Sequence, residues 1–102
     1  MLDKSLQRIS APAPLTSEII RAGRMLLRWD QKTLAEAAGV AHVTVRRLEA
    51  KPGALMAERS TIAKLRSALE SAGIVFVDEE GDGQGQGVRL KKAQWRLALD
   101  GD

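Results

Sequence analysis

The side chains best suited to binding chemistry lie close together between positions 42 and 47. His42, Val43, Arg46 and Arg47 occur at spacings that place them on one side of a helix, called here the reading face. Arginine offers a permanent charge and a planar fork of donors, histidine adds a hydrogen-bonding ring, and valine adds an apolar contact. The pattern predicts a basic, solvent-directed binding surface.

Catalytic and metal chemistry have little support in the sequence. His42 has no nucleophile and carboxylate in a suggestive sequence frame, and the chain lacks cysteine and tyrosine. A chain without cysteine has no thiolate metal site, and a single histidine cannot form a histidine cluster. We therefore expect neither enzymatic activity nor a metal or other cofactor.

Two short apolar-periodic segments, joined at Gly39, must position the reading face. Glycine adopts a positive φ at little steric cost, so the first helix can end there in a sharp turn. The apolar faces of the two segments are then expected to meet. The positions that form this predicted scaffold are Leu34, Ala35, Ala38, Val40, Val45 and Leu48.

This arrangement resembles the helix-turn-helix of the XRE family, the DNA-binding domain of lambda-type and Cro-type repressors. The resemblance extends from about Thr16 to Gly73. Ala41 departs from the pattern, because the family usually has a serine or threonine there as the N-cap of the recognition helix. Replacing such a cap by alanine lowers stability by roughly 1 kcal/mol. The residues that match the family's small, turn and hydrophobic positions are Ala35, Gly39, Val40, Val45 and Leu48.

The resemblance implies a function for the reading face. In the family, positions that match His42, Val43 and Arg47 contact base edges, and Arg46 lies beside them, where it could read a base or hold a phosphate. Arginine can bind guanine through two hydrogen bonds, histidine can donate to guanine, and valine can pack on a thymine methyl. The partner expected on this basis is double-stranded DNA.

The resemblance also implies supporting roles for other residues. Gln31 matches a glutamine that bonds a phosphate and braces the recognition helix, and Thr44, Lys51 and Arg28 are plausible phosphate partners. Arg24 and Glu49 match an ion pair that connects the first helix to the recognition helix. We assign this ion pair a structural role and not a role in DNA contact.

The fold predicted is mainly α: a compact four-helix lambda-repressor-like domain over residues 16–73, followed by a β-hairpin. Residues 1–15, which contain Pro12 and Pro14, are interpreted as a loose arm. Thr16 or Ser17 should cap helix 1, Asp30 helix 2 and Ser60 helix 4. The recognition helix should end before Pro52 and Gly53, and helix 4 should stop at Gly73. The buried stripe expected in helix 1 consists of Ile19, Ile20, Gly23, Leu26 and Leu27, with Arg21 and Arg28 outside.

The segment 74–90 has the pattern of a hairpin, with strands over residues 74–77 and 88–90. An isolated hairpin is marginally stable, so its apolar face must be covered. Pairing between two chains is the favoured prediction, and a hairpin that caps its own four-helix core is the alternative. The tail, residues 91–102, has Trp95 and Leu99 at helical spacing and could form a helical turn or two, or be frayed.

Positive charge is concentrated on the motif. The net charge is +3 and the pI about 9.7, but seven of the cations lie between Thr16 and Gly53 against four acids, whereas residues 78–87 hold four acids and no cation. The acids Asp78, Glu80 and Asp82 resemble a calcium loop only loosely, because Arg89 occupies the closing ligand position. The alternating glycines that follow lack the helix of a dinucleotide-binding motif.

These observations predict a DNA-binding transcriptional regulator, of bacterial or phage type by its resemblance. A homodimer is expected on a pseudo-palindromic operator, through the hairpin 74–90. The alternative is an antitoxin or antiactivator whose main role is to bind a partner protein, a toxin or an activator. No apolar run is long enough to span a bilayer, and the N-terminus has no secretory hydrophobic segment, so we expect a soluble cytoplasmic protein.

Overall fold

Four helices precede a two-stranded antiparallel hairpin along the chain. The computed structural model describes residues 14–77 and 85–91, and these residues confirm the predicted fold class. Most of the predicted arm, most of the acidic loop and nearly all of the tail lie outside the described residues. The elements are α1 (Ser17–Leu26), α2 (Gln31–Ala38), α3 (His42–Ala50), α4 (Arg59–Ser71), β1 (Ile74–Val77) and β2 (Gly87–Leu90).

The first two helices begin at the predicted signals, and α2 also ends at its predicted signal. The Thr16 hydroxyl accepts a hydrogen bond from the Ile19 amide at 3.1 Å, and the Asp30 carboxylate accepts one from the Thr33 amide at 2.8 Å. Such side-chain acceptors satisfy amides that have no partner within the helix. Gly39 ends α2 with φ of 72°, the left-handed conformation that its position predicted.

The predicted start of α4 was wrong. The Ile62 amide donates to the Glu58 carbonyl at 3.1 Å, so the first helical hydrogen bond forms two residues earlier than a Ser60 cap would allow. Glu58 is the N-cap, and its side chain makes no capping hydrogen bond. Ser60 lies within the first turn, and Ala72 closes the helix before Gly73.

Residues from all four helices and β1 form one core. In α1, Ile20 and Gly23 are buried, and Leu27, which follows the last residue of this helix, packs against the core. Leu26 was wrongly predicted to be buried: it is 40% exposed, because each helical residue is rotated by about 100° from the next and Leu26 cannot share the direction of Leu27. The buried apolar residues are Leu15, Ile20, Leu34, Ala35, Val45, Leu48, Leu55, Leu65, Ala68, Leu69 and Ile74.

The hairpin covers the helices of its own chain. Ile74 pairs with Leu90 and Phe76 with Val88, so these four side chains share one face, and all of them pack in or against the core. Leu69 and Ile74 pack against Gly23 of α1, where a Cβ would lie 3.6 Å from Leu69 and 3.7 Å from Ile74, at ordinary van der Waals distances. The apolar face of the hairpin therefore covers the core of its own chain, which was the alternative prediction. Pairing between two chains stays a prediction.

The segment before α1 ties the loop after α3 to the rest of the domain. Leu15, which the sequence placed at the end of the arm, is buried, and its carbonyl accepts a hydrogen bond from the Leu55 amide at 3.1 Å. The Ser17 amide donates to the Gly53 carbonyl at 2.9 Å. Over residues 14–77 and 85–91, the helices are too short and too polar for any of them to cross a membrane.

Candidate nucleic-acid interface

Helix α3 has one exposed side and one buried side. All four residues of the reading face, His42, Val43, Arg46 and Arg47, are exposed. Val43, the apolar member of this face, is 55% exposed. On the opposite side Val45 and Leu48 are 1% and 6% exposed and join the core. The helix thus presents to solvent the side chains that the sequence selected.

The N-terminus of α3 has no side-chain cap. Ala41 adopts the extended conformation of an N-cap residue, with φ of −70° and ψ of 143°, but has no side-chain acceptor. Its carbonyl accepts from the amides of Thr44 at 3.0 Å and Val45 at 3.4 Å. The first turn, which carries His42 and Val43, is held by backbone hydrogen bonds and by packing of Val45.

The C-terminal half of α3 is fixed by a buried carboxylate. Glu49 is 3% exposed, and Arg24 of α1 binds it through two hydrogen bonds, from Nε to Oε2 at 2.9 Å and from Nη2 to Oε1 at 2.7 Å. Arg24 also donates from Nη1 to the Trp29 carbonyl at 2.9 Å. The predicted structural ion pair is confirmed, and it connects α1, the turn before α2, and α3.

Two further side chains complete the Glu49 cluster, defined here as Arg21, Arg24, Gln31 and Glu49. Gln31 donates from Nε2 to Glu49 Oε1 at 3.2 Å, so it braces α3 as the resemblance implied. Arg21 donates from Nη2 to the Glu49 backbone carbonyl at 2.6 Å, and its Nε lies 3.6 Å from Oε1. One residue at the end of α3 is thereby held by three side chains.

The cluster keeps Glu49 ionised. Burial by itself would raise the pKa of Glu49, but the hydrogen bonds from Arg24 and Gln31 and the charges of Arg24 and Arg21 outweigh burial and lower it. The hydrogen bond to Glu49 likewise raises the pKa of Arg24 above its ordinary value. Removing either partner would leave the other as a poorly compensated charge.

The residues predicted to contact phosphates are distributed around α3. Lys51 is exposed and, together with Arg47, lines a hollow of about 110 Å³ that also includes Met56, which is 75% exposed. Thr44 is half-buried within α3. Arg28 is exposed in the turn between α1 and α2 and has φ of 59°, a left-handed conformation that costs an L-residue energy. Contacts to DNA by these residues stay predictions.

The described residues offer little for metal chemistry. Over residues 14–77 and 85–91, there is no group of three histidine, aspartate or glutamate side chains that could hold an ion. The calcium-like acids Asp78, Glu80 and Asp82 lie outside the described residues.

Sequence reasoning correctly placed Arg21 outside the buried stripe of α1 but missed its contact with Glu49. The signal was present, because Arg21 precedes Arg24 by three residues and therefore lies on the same side of α1. Once Arg24 is paired with Glu49, Arg21 must also point toward the end of α3. Comparison with protein-family models gives no match for this sequence, and no curated protein matches it either.

Proposed function

We propose that this protein is a sequence-specific regulator of transcription that binds double-stranded DNA through α3, as its resemblance to the XRE family suggests. The observation that carries the proposal is the division of α3 into an exposed, basic reading face and a buried opposite side anchored at Glu49. A helix laid in the major groove needs both properties, since it must project side chains toward bases while its own orientation stays fixed.

The reading face has the chemistry required for base recognition. Arg46 and Arg47 can each form two hydrogen bonds with guanine, His42 can donate to guanine, and Val43 can contact a thymine methyl. The exposure of Val43 fits this role, because an apolar side chain that lies 55% exposed in the free protein becomes covered at a DNA surface.

The Glu49 cluster separates structural cations from binding cations. Arg24 is paired with Glu49, and only 12% of its side chain is exposed. In contrast, Arg46, Arg47 and Lys51 are exposed to solvent. The charge available to a phosphate backbone is thus concentrated on α3 and its C-terminal end. Counterion release from the DNA would then make binding strongly salt-dependent.

We further propose that two copies bind together, on half-sites about 34 Å apart in a pseudo-palindromic operator. The hairpin is the proposed contact between the copies. Its apolar face is already covered by α1 and α4, so pairing would have to use the outward backbone groups of a strand edge. A DNA-binding protein of this kind would act in the cytoplasm of a bacterium.

The test begins with selection of bound sequences from random DNA by the full chain. The variants His42→Ala, Arg46→Ala and Arg47→Ala are then titrated against the selected site and against sites with single base changes. Each lost base contact should cost about 1–3 kcal/mol, or roughly 5- to 150-fold in affinity, and should relax specificity at one position. Lys64→Ala, which removes an exposed cation from α4, away from both α3 and the hairpin in sequence, is the charge-matched control.

The outcomes separate the two classes of function. If none of the three variants changes discrimination between bases, the reading face is misassigned. If the full chain has no salt-dependent affinity for DNA at all, the proposed function fails, and the helix-turn-helix would instead serve a protein-interaction module such as an antitoxin or antiactivator.

A further inference from the structure

The Glu49 cluster carries more positive than negative charge. Arg21 and Arg24 each contribute a positive charge, ionised Glu49 contributes a single negative charge, and Gln31 is neutral. The two arginines differ in exposure, since 49% of the Arg21 side chain is exposed but only 12% of the Arg24 side chain. The surplus positive charge of the cluster therefore lies on Arg21, at the surface.

The end of α3 fixes where the Arg21 guanidinium lies. Its Nη2 donates to the Glu49 carbonyl at 2.6 Å, and its Nε lies 3.6 Å from the Glu49 carboxylate. Among residues 14–77 and 85–91, Nη1 of Arg21 has no hydrogen-bond partner. An arginine held along one edge of its planar fork keeps the donors of the other edge available for an anion.

The two carboxylates near Arg21 each have other donors. Glu49 binds Arg24 through two hydrogen bonds. Glu18, one turn before Arg21 on α1, accepts a hydrogen bond from the Gly53 amide at 3.1 Å. Backbone amides lower the pKa of Glu18 most, and the charge of Arg21 contributes least to this shift. Arg21 therefore keeps charge that an external anion can use.

Arg21 adjoins one flank of the reading face, and Lys51 adjoins the other. Consecutive helical residues are rotated by about 100°, so Glu49 lies about 60° around α3 from Arg46 but about 160° from Arg47. Arg21 contacts both the carbonyl and the carboxylate of Glu49, which places it on the side of Arg46, called here the Arg46 flank. Lys51 and Arg47 line a hollow together, so they share the opposite flank.

We propose that Arg21 binds a phosphate of the DNA backbone on the Arg46 flank, an inference that rests on the proposed function of α3. The major groove is about 12 Å wide and a helix with its side chains about 10–12 Å across, so both flanks of an inserted helix lie next to phosphates. Arg47 and Lys51 supply positive charge on one flank, and Arg21 supplies it on the other. Because Glu49 already holds Arg21, the side chain loses little freedom on binding.

The first test compares the natural chain with Arg21→Gln on two duplexes, the site selected from random DNA and an unrelated sequence. Loss of one phosphate contact should lower affinity roughly 5- to 10-fold at about 0.1 M salt, by the same factor on both duplexes. The slope of log affinity against log salt should decrease by about one. Lys64→Gln, which removes an exposed cation from α4, is the matched control and should leave the slope unchanged.

The outcomes separate this proposal from the proposed function. If the natural chain has no salt-dependent affinity for DNA, both fail. If the natural chain binds DNA and Arg21→Gln has the same salt slope, the proposal for Arg21 alone is overturned. A change in base discrimination at an unchanged slope would also overturn it, because Arg21 would then only orient α3.

A measurement on the natural chain does not depend on the folding of a variant. In ¹⁵N spectra, the guanidinium signals of Arg21 should shift when the selected duplex is added. The signals of Arg66, which pairs with Glu70 on α4, provide the internal control and should stay in place. Arg21 signals that do not move at saturating DNA would overturn the proposal.

Discussion

The two ends of helix α3 are built in opposite ways. At its C-terminal end Glu49 is buried and held by Arg21, Arg24 and Gln31. At its N-terminal end Ala41 provides no cap, and the two residues that follow are exposed. Charged hydrogen bonds fix one end, whereas the other depends on backbone hydrogen bonds and on the packing of Val45.

The difference shows how a short helix can be both fixed and accessible. A nine-residue helix is too short to be stable alone, so tertiary contacts must hold it. If these contacts covered the first turn, the reading face would be lost. Concentrating them at the far end holds the direction of the helix while its first turn stays open to a partner.

Glu49→Ala should have the largest effect of the changes considered, because it leaves the largely buried Arg24 without its counterion. We expect a loss of about 3–5 kcal/mol in the free energy of unfolding, measured by urea denaturation. Glu70→Ala is the control: Glu70 pairs with Arg66 on α4, but its side chain is 50% exposed, so the loss should stay below about 1 kcal/mol. Similar losses for both variants would show that the Glu49 cluster does not anchor α3.

Low pH should reduce the stability that the ionised Glu49 contributes. Because the folded protein lowers the pKa of Glu49, the contribution of its ionised form is complete above the ordinary pKa of 4.5 and is lost as pH falls through the lower folded value. The stability difference between the natural chain and Glu49→Gln should therefore shrink below pH 4.5. The carboxylates of Glu18 and Asp30, whose pKa values are also lowered, cancel in this difference. A difference that does not change with pH would contradict the prediction.

Ala41→Ser should strengthen the weaker end of α3. Ala41 already has the extended backbone of an N-cap, so the new hydroxyl can accept from an amide of the first turn, and stability should rise by about 1 kcal/mol. Thermal or urea unfolding measures the change. Ala50→Ser, the same substitution at the exposed last residue of α3, should give no gain. A gain at both positions would mean that capping is not the cause.

Arg28→Gly should give the smallest effect on stability and should separate it from binding. Glycine relieves the left-handed backbone at φ of 59°, at an entropic cost in the unfolded chain, so stability should rise by at most about 1 kcal/mol. If Arg28 contacts a phosphate, DNA affinity should fall equally strongly at all sequences, and the salt slope should decrease by about one. Arg28→Ala removes the same charge but keeps the strain, so it should lose affinity without becoming more stable.

Local sequence signals were enough to locate most elements. Thr16, Asp30 and Gly39 mark helix ends because capping and positive φ depend on one residue and its immediate neighbours. The start of α4 was misplaced because Ser60 has a capping side chain, yet the helix forms without using it. Leu26 was misplaced because the spacing of apolar residues does not fix the width of the buried stripe.

Side chains that meet across the fold were harder to predict. The pairing of Arg24 with Glu49 was expected only through the resemblance, since the two are 25 residues apart. Arg21 was missed because its partner is a backbone carbonyl, and every residue carries one. The sequence did not decide what covers the apolar face of the hairpin. The same alternating pattern allows this face to pack on the core of its own chain or against a second chain.

The sequence by itself determined the helix-turn-helix and the composition of its reading face. Both follow from local rules: the periodicity of apolar residues, a glycine at a positive φ, and basic side chains on the side left over. Only the tertiary structure decided that three side chains donate hydrogen bonds to Glu49 and that the hairpin packs on the core of its own chain. These contacts join residues that are distant along the chain, and their energy depends on the burial and alignment that packing alone provides.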